Sequence, residues 1–323
     1  MKFYYKGMLA VHLENGLVST REVPIPARPA GFALLRLLTA GICNTDLELQ
    51  RGYYGFTGTP GHEFVAEVVE AETAALAGKR VAGEINLACT HCEWCRRGLG
   101  RHCPNRTVLG IVNHPGAFSE FFTLPERNLH VLPDALPNAQ AVFLEPLAAA
   151  CEILDQVSIP PGERVAVLGD GKLGLLIALV LNAHGYPVIL YGRHATKLGI
   201  AARAGIDTLA NAPLPVAEYD WVVDATGSAD GLRLAVAMTR PRGTVILKST
   251  QHGLVSVDTA PVIVHEITLV GSRCGRMEAA LPLIDHHLIP VEQMISARYP
   301  LVEAVQAFAH AATKGVLKVL LHP

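Results

Sequence analysis

The sequence predicts an α/β protein in two parts, a doubly wound parallel sheet and a separate strand-rich half. Three observations predict it. Past residue 163, apolar runs of strand length alternate with helical apolar runs. That order lays parallel strands side by side with helices on both faces. Before residue 146 the chain instead carries alternating, strand-like stretches such as "GHEFVAEV", broken by Pro and Gly. Finally, 323 residues, half of them hydrophobic, suffice for two cores. Pro-rich clusters at 24–29, 132–137 and 159–163 mark turns and the edges of these parts.

Charge and composition exclude several roles. The formal net charge is only -2 and no block of like charge occurs, so neither a nucleic acid nor a membrane surface is an expected partner. The first sixteen residues hold no apolar stretch of signal-peptide length. The longest apolar run, Leu173–Leu181, falls short of the roughly 20 residues that span a bilayer. The expected location is the cytoplasm. Seven cysteines, an odd number in a long chain, favour metal binding or free thiols over a disulfide framework.

Four of those cysteines fall in "CTHCEWCRRGLGRHC": Cys89, Cys92, Cys95 and Cys103. The spacing C-x2-C-x2-C-x7-C lets four thiolates close a tetrahedron around zinc, with Gly98 and Gly100 bending the chain to deliver Cys103. A shell filled by thiolates leaves no position for a substrate, so this loop is expected to be structural. Arg96, Arg97 and Arg101 either offset its negative charge or lie in solvent.

A second donor set is scattered along the front of the chain. Cys43 follows Gly41, His62 and Glu63 open a strand-like run, and Glu145 stands at the mouth of a helix. One thiolate, one imidazole and one carboxylate form a mixed zinc site that can leave a coordination position open, where the metal acts as a Lewis acid.

The back half opens with "ERVAVLGDGKLGLLIALVL" (163–181). Gly169 allows the tight turn, Gly171 lets a pyrophosphate approach the backbone, and Gly174 lets helix pack on strand. Lys172 and Leu173 open the helix whose N-terminus favours phosphate. Further strands are expected at 187–192, 207–210, 220–227, 244–249 and 267–272, six with the first. Their ends place Ala225 and Thr226, Lys248 and Ser249, and Arg273 and Cys274 toward a bound nicotinamide, with Cys274 a packing residue. The second strand ends in Gly192, followed by Arg193, His194 and, a turn on, Lys197. An Asp or Glu there would bind the ribose hydroxyls of NAD; its absence, with Arg193 following, predicts a preference for NADP.

Taken together, "GICNTD", "GHEF", the four-cysteine loop, "EPLA", "GDGKLG", "VVDATG" and "VGSRCG" resemble the zinc-dependent medium-chain dehydrogenases/reductases, the family of alcohol, sorbitol, threonine and glucose dehydrogenases. The resemblance covers nearly the whole chain. It implies a GroES-like catalytic domain over 1–146, containing the zinc loop 89–103. A Rossmann domain for NAD(P) follows over 147–275, and 276–323 completes the catalytic domain, with the active site in the cleft between the two. It implies two zinc ions per subunit, with Cys43 and His62 ligating the catalytic one and Glu63 and Glu145 competing for it. Zinc, the Cys43 thiolate and one glutamate sum to zero charge, so one carboxylate is expected on the metal at a time. By the same resemblance Thr45 passes the alcohol proton outward, Asp46 orients a ligand such as His62, and Lys318 reaches the cofactor phosphates. A relay histidine of several relatives is missing from "TDLELQRG", so the proton path is expected to end in water or in Glu48. Tyr53 or Tyr54 is expected to line the pocket.

The implied activity is reversible oxidation of a primary or secondary alcohol to an aldehyde or ketone with NAD(P), by a homodimer or homotetramer. The alternatives are an NADPH-dependent reductase of C=C or C=N bonds and a nucleotide-sensing protein that kept the fold without turnover. The polyol, amino-alcohol and simple-alcohol branches share these motifs, so the sequence leaves the substrate open.

Overall fold

A computed structural model describes residues 7–249 and 256–323; the first six residues of the stretch read for a leader lie outside it. The chain forms two compact units, one reaching to Glu145 and including Ile295–Pro323, the other Pro146–Met294. No helix among the described residues is long and apolar enough to cross a membrane.

In the first unit the strand Phe32–Ile42 is the hub. Its Ala33, Leu35 and Leu37 alternate into the core, the period a half-buried strand requires. It pairs antiparallel with Glu63–Glu70, with Phe121–Pro125 and with Lys318–His322. The strand Ile295–Pro300 flanks the last of these, while Arg80–Gly83 and Leu129–Val131 extend the other side. Register decides what meets at one end of this sheet. Gly41 lies opposite Glu63, and Ile42 opposite Val319. Cys43, Glu63 and Lys318, far apart in sequence, therefore emerge side by side.

The second unit holds six parallel strands in the order Asp207–Ala210, Val188–Gly192, Val165–Leu168, Tyr219–Asp224, Thr239–Leu247 and Thr268–Gly271. Every residue of Val165–Leu168 is buried, as a central parallel strand demands. Chain order reverses on either side of this strand. That reversal opens a crevice at its carboxyl end, the general ligand position in open α/β sheets. The glycine-rich turn and the helix Lys172–Ala183 follow there. Within the core the hydroxyls of Tyr191 and Tyr219 satisfy one another at 2.7 Å, so two buried polar groups cost little.

The return to the first unit lies at Ile295, later than the 276 expected from sequence. Contacts near Arg276 explain the shift. The Arg276 guanidinium holds Asp155 at 3.0 Å. A β-carbon on Gly275 would lie 1.8 Å from the Ala148 carbonyl oxygen, so the chain there is pressed against the helix Leu144–Gln156. The helix Met277–Asp285 that follows belongs with the nucleotide-type sheet.

Candidate metal and nucleotide sites

The four-cysteine loop closes as its spacing suggests. Cys89 and Cys92 flank a tight turn, Cys95 lies on the one-turn helix Glu93–Arg96, and Cys103 ends the turn Gly100–His102. Sulfur–sulfur separations are 3.4 Å (Cys92–Cys95), 3.5 Å (Cys103–Cys89), 3.7 Å (Cys92–Cys103) and 3.9 Å (Cys89–Cys95). Four thiolates about 2.3 Å from a tetrahedral zinc would stand about 3.8 Å apart, whereas a disulfide needs about 2.0 Å. All four are free cysteines, so the donor set fits zinc. The backbone N–H groups of His91 and Cys92 and the neighbouring thiols bring the Cys89 thiol down to about 6, against the opposing effect of burial. Burial and the surrounding thiols push Cys95 up to about 12. The arginines are partly engaged: Arg96 donates to the His91 carbonyl at 2.6 Å, and Arg97 lies over Trp94 and 3.6 Å from Glu93.

The second donor set converges on Cys43, His62 and Glu63, whose ligand atoms lie within 4.8 Å of one another. Local structure explains each placement. Cys43 is the N-cap of the helix Asn44–Gln50, held extended, and Asp46 three residues on accepts its N–H at 2.8 Å. That is the return half of a capping box, written here by "CNTD". The other carboxylate oxygen of Asp46, fully buried, faces His62 Nδ1 at 3.4 Å. The pair is close enough for attraction but misaligned for a hydrogen bond, and both atoms lack a hydrogen-bond partner. With Nδ1 turned to Asp46, Nε2 is the nitrogen left for a metal, the usual carboxylate–histidine arrangement. Burial opposes a charge on His62, but the nearby Asp46 charge, with Cys43, raises the imidazole well above its ordinary value. Thr45 Oγ1 stands 3.7 Å from the Cys43 sulfur.

Glu63 adds an observation the sequence did not announce. Its Oε2 accepts an ion-paired hydrogen bond from Lys318 Nζ, and both side chains are 1% exposed. Burial disfavours the ammonium, but Glu63 first, then Cys43 and Glu145, hold its proton more tightly than in water. The expectation that Lys318 reaches the cofactor phosphates is therefore corrected: the lysine is sealed beneath the metal triad. Register put it there, through a strand pairing that motif reading does not reveal. Glu63 Oε1, by contrast, is buried without a partner, and such an atom costs free energy unless an ion or water meets it. Cys43, His62 and the Glu63 carboxylate form a donor set of the kind zinc takes. Glu145, in the first turn of its helix, stands outside the triad, although its charge reaches Lys318. Glu48, one expected end of the proton path, is 2.5 Å from Arg51.

A cavity of about 610 Å³ in the same unit is walled by Tyr54, Phe56, Thr57, Thr59 and the loop Ile111 to Pro115. Tyr54 lines it, with the Tyr53 ring tilted by 41° against it at 4.1 Å between centroids. The wall segment 54–59 ends three residues before His62.

In the second unit the glycine turn meets its steric requirements. Gly169 has φ of +113°, and a β-carbon on Gly174 would lie 1.9 Å from the Gly169 carbonyl oxygen. The space before Gly171 is open, which suits a pyrophosphate. Lys172 and Leu173 begin the helix, half-buried, and the backbone of Ala225 and Thr226 packs against Gly169. Thr226 is fixed by Asp224, which accepts its N–H at 3.0 Å and its hydroxyl at 2.8 Å. Arg273 is exposed. Lys248 departs from expectation: it is buried, and Nζ donates to the carbonyls of Ala149 (2.5 Å) and Arg273 (2.9 Å) and to Ser272 Oγ (3.0 Å). It ties a strand end to a neighbouring helix and loop and is not turned outward to a cofactor.

At the end of Val188–Gly192 the structure holds a residue that sequence reading passed over. Asp170, one of the variable positions of the glycine motif, accepts the N–H groups of Arg193 at 2.8 Å and His194 at 2.6 Å, and its Oδ2 lies 3.0 Å from His194 Nδ1. A β-carbon on Gly192 would fall 2.6–2.8 Å from Asp170 side-chain atoms. The absent side chain at 192 is thus replaced by a carboxylate from the glycine turn that follows the adjacent strand. An acid inside a glycine motif, paired with a glycine where an acid usually stands, is the signal that could have exposed it.

With fold and geometry in hand, comparison with known proteins agrees. The alcohol dehydrogenase GroES-like domain matches residues 29–134, and the zinc-binding dehydrogenase domain matches 173–286. D-altritol 5-dehydrogenase of Agrobacterium fabrum is 29% identical over 92% of this chain and 93% of its own. A zinc-binding dehydrogenase of Sinorhizobium meliloti 1021, solved with NADP, superposes with a TM-score of 0.89 at 30% identity, covering 98% of this chain and 99% of that one. An alcohol dehydrogenase of Escherichia coli CFT073, solved with NADH, gives 0.89 at 26% identity over 98% and 99%. The chain belongs to the zinc-type medium-chain alcohol dehydrogenase family. It is an oxidoreductase built for zinc and a nicotinamide cofactor.

Replacing Lys248 by Met should leave the carbonyls of Ala149 and Arg273 without their donor and lower stability by about 1–3 kcal/mol. Denaturant midpoints should fall while the Michaelis constant for cofactor stays put. A raised constant at unchanged stability would return Lys248 to a cofactor role.

Proposed function

We propose that the chain catalyses reversible oxidation of a small primary or secondary alcohol to the aldehyde or ketone, with NAD(P) as hydride acceptor. The observation that carries this reading is the convergence of Cys43, His62 and an unpartnered Glu63 oxygen beside the Thr45 hydroxyl. Cys43, His62 and a glutamate would hold a zinc ion that supplies Lewis acidity toward the alcohol oxygen, and the glycine turn would hold the nicotinamide cofactor that serves as hydride acceptor. The protein's own residues do the rest. Thr45 Oγ1 receives the alcohol proton and passes it outward. With Glu48 held by Arg51, water is the favoured end of that path. Asp46 fixes the His62 ring, and Gly169, Gly171 and Gly174 with the helix N-terminus receive the pyrophosphate. A C=C or C=N reductase needs no such donor set, and a sensor without turnover has no use for Thr45 at that position.

The carboxylates share one metal position. With Lys318 charged, Glu63 is already balanced, so Glu145 can supply the anionic charge opposite Cys43. We read Lys318 as holding Glu63 back while Glu145 or substrate ligates. A zinc-loaded crystal structure with both carboxylates at about 2.0–2.2 Å from the metal and substrate also bound would contradict this. The cavity mixes aromatic walls with Thr57, Thr59, Asn113 and His114, which favours polyhydroxy alcohols as the first compounds to screen. A cytoplasmic homodimer or homotetramer is proposed; Leu269 on the sheet-edge strand and the nearby Ile263 and Val264 are exposed apolar side chains that a second copy would cover. Light scattering that gives a monomer mass would remove that part.

Two zinc ions per subunit are expected, with separable roles. Cys43→Ala should lose one zinc and all turnover while keeping its fold; Cys95→Ala should lose stability first. Metal analysis giving a single zinc, or an active Cys43 variant, would reject the assignment.

Thr45→Ala should lower turnover about 10²–10⁴-fold, the usual range for a proton-transfer group, and Thr45→Ser should lose far less. Equal losses would make Thr45 a packing residue.

NADP should be preferred over NAD. Arg193 is exposed and has no ion-pair partner among the described residues, and Lys197 lies one turn on. Charged hydrogen bonds contribute about 1.5–3 kcal/mol, so Arg193→Ala should raise the NADP Michaelis constant about 10- to 100-fold and hardly change that for NAD. A wild type that uses NAD better, or equal losses with both, would show that Arg193 does not select.

A further inference from the structure

Gly192 invites a simple reading: no acid, hence room for a 2′-phosphate. The geometry contradicts half of it. The space a side chain at 192 would fill is occupied by the carboxylate of Asp170. The Asp170 side chain is 10% exposed. Its Oδ2 is used by two backbone N–H groups and the His194 ring, while Oδ1 has only the long 3.3 Å contact to His194 and keeps acceptor capacity. Burial opposes its charge, but the Arg193 and His194 N–H groups and the imidazole outweigh this and hold the carboxyl below its ordinary value. A full negative charge therefore stands where the acid of NAD-binding sheets places its own, with an exposed guanidinium on the next residue but one along the loop from Tyr191.

We propose that Asp170 is the acidic half of a two-residue cofactor selector, taking the adenosine ribose hydroxyls in place of the acid missing from the strand end, while Arg193 draws the 2′-phosphate. The two groups oppose one another. Asp170 favours a free ribose and repels a phosphate; Arg193 does the reverse, and their balance sets the preference. The residue also explains Gly192, since any side chain there would collide with Asp170. The proposal rests on the nicotinamide reading above, and its test separates the two.

Isothermal titration of the purified zinc-loaded protein with 5′-AMP and with 2′,5′-ADP compares ligands that differ only in the 2′-phosphate. Asp170→Asn keeps an oxygen to accept the two loop N–H groups and removes the charge. The ratio of affinities should move about tenfold toward 2′,5′-ADP, with 5′-AMP weakened, and Arg193→Ala should move it about as far the other way. Asp170→Gly with Gly192→Asp returns the carboxylate to the strand end and should bind 5′-AMP while rejecting 2′,5′-ADP. It serves also if the Asn variant folds poorly by circular dichroism. An unchanged ratio in Asp170→Asn, or equal weakening of both ligands, would reduce Asp170 to a loop anchor and overturn the selector. If the wild type binds neither nucleotide, the nicotinamide reading falls and the selector with it.

Discussion

One carboxylate without exposed surface organises the candidate metal centre. Asp46 caps the backbone at Cys43 with one oxygen and faces the His62 ring with the other. The two donors come from different elements, a helix cap and the approach to a strand, so their separation is not fixed by local geometry. A shared buried anion fixes it. Such a group is costly to bury, and it remains because both neighbours answer its charge.

Around that anchor the site is a problem of charge in a closed space. Cys43, Glu63 and Glu145 would together exceed what a divalent ion neutralises. Lys318 changes the sum: paired with Glu63 and fully buried, it supplies a fixed positive charge that needs no metal. A buried pair of this kind is weak evidence for stability. It is stronger evidence for function here, because it leaves one oxygen unpartnered on a carboxylate that stands beside the other two donors.

The nucleotide half shows a different economy. The glycine turn is dictated by sterics alone, since Gly174 admits no side chain against the Gly169 carbonyl. The position between the first two glycines and the next strand end meet at one point beside that turn. Asp170 and Gly192 occupy one volume between them, so neither can be interpreted without the other.

Much was legible in the chain itself. The four-cysteine spacing, the strand–glycine turn–helix order and the six strands follow from local rules: ligand reach, allowed φ and hydrophobic period. The weak strand Asp207–Ala210 is present because its neighbour Val188–Gly192 offers an open edge. What the sequence could not carry was register. Lys318 and Lys248 look alike in a string, each a lysine near a strand and each a reasonable cofactor contact, the first to phosphate and the second on the nicotinamide side. Pairing with Phe32–Ile42 sent the first to Glu63, and the end of Thr239–Leu247 sent the second to the carbonyls of Ala149 and Arg273. Motifs determined which chemistry this chain has. Tertiary structure decided which charged groups face it, because burial sets the value of a charge and strand alignment sets its address.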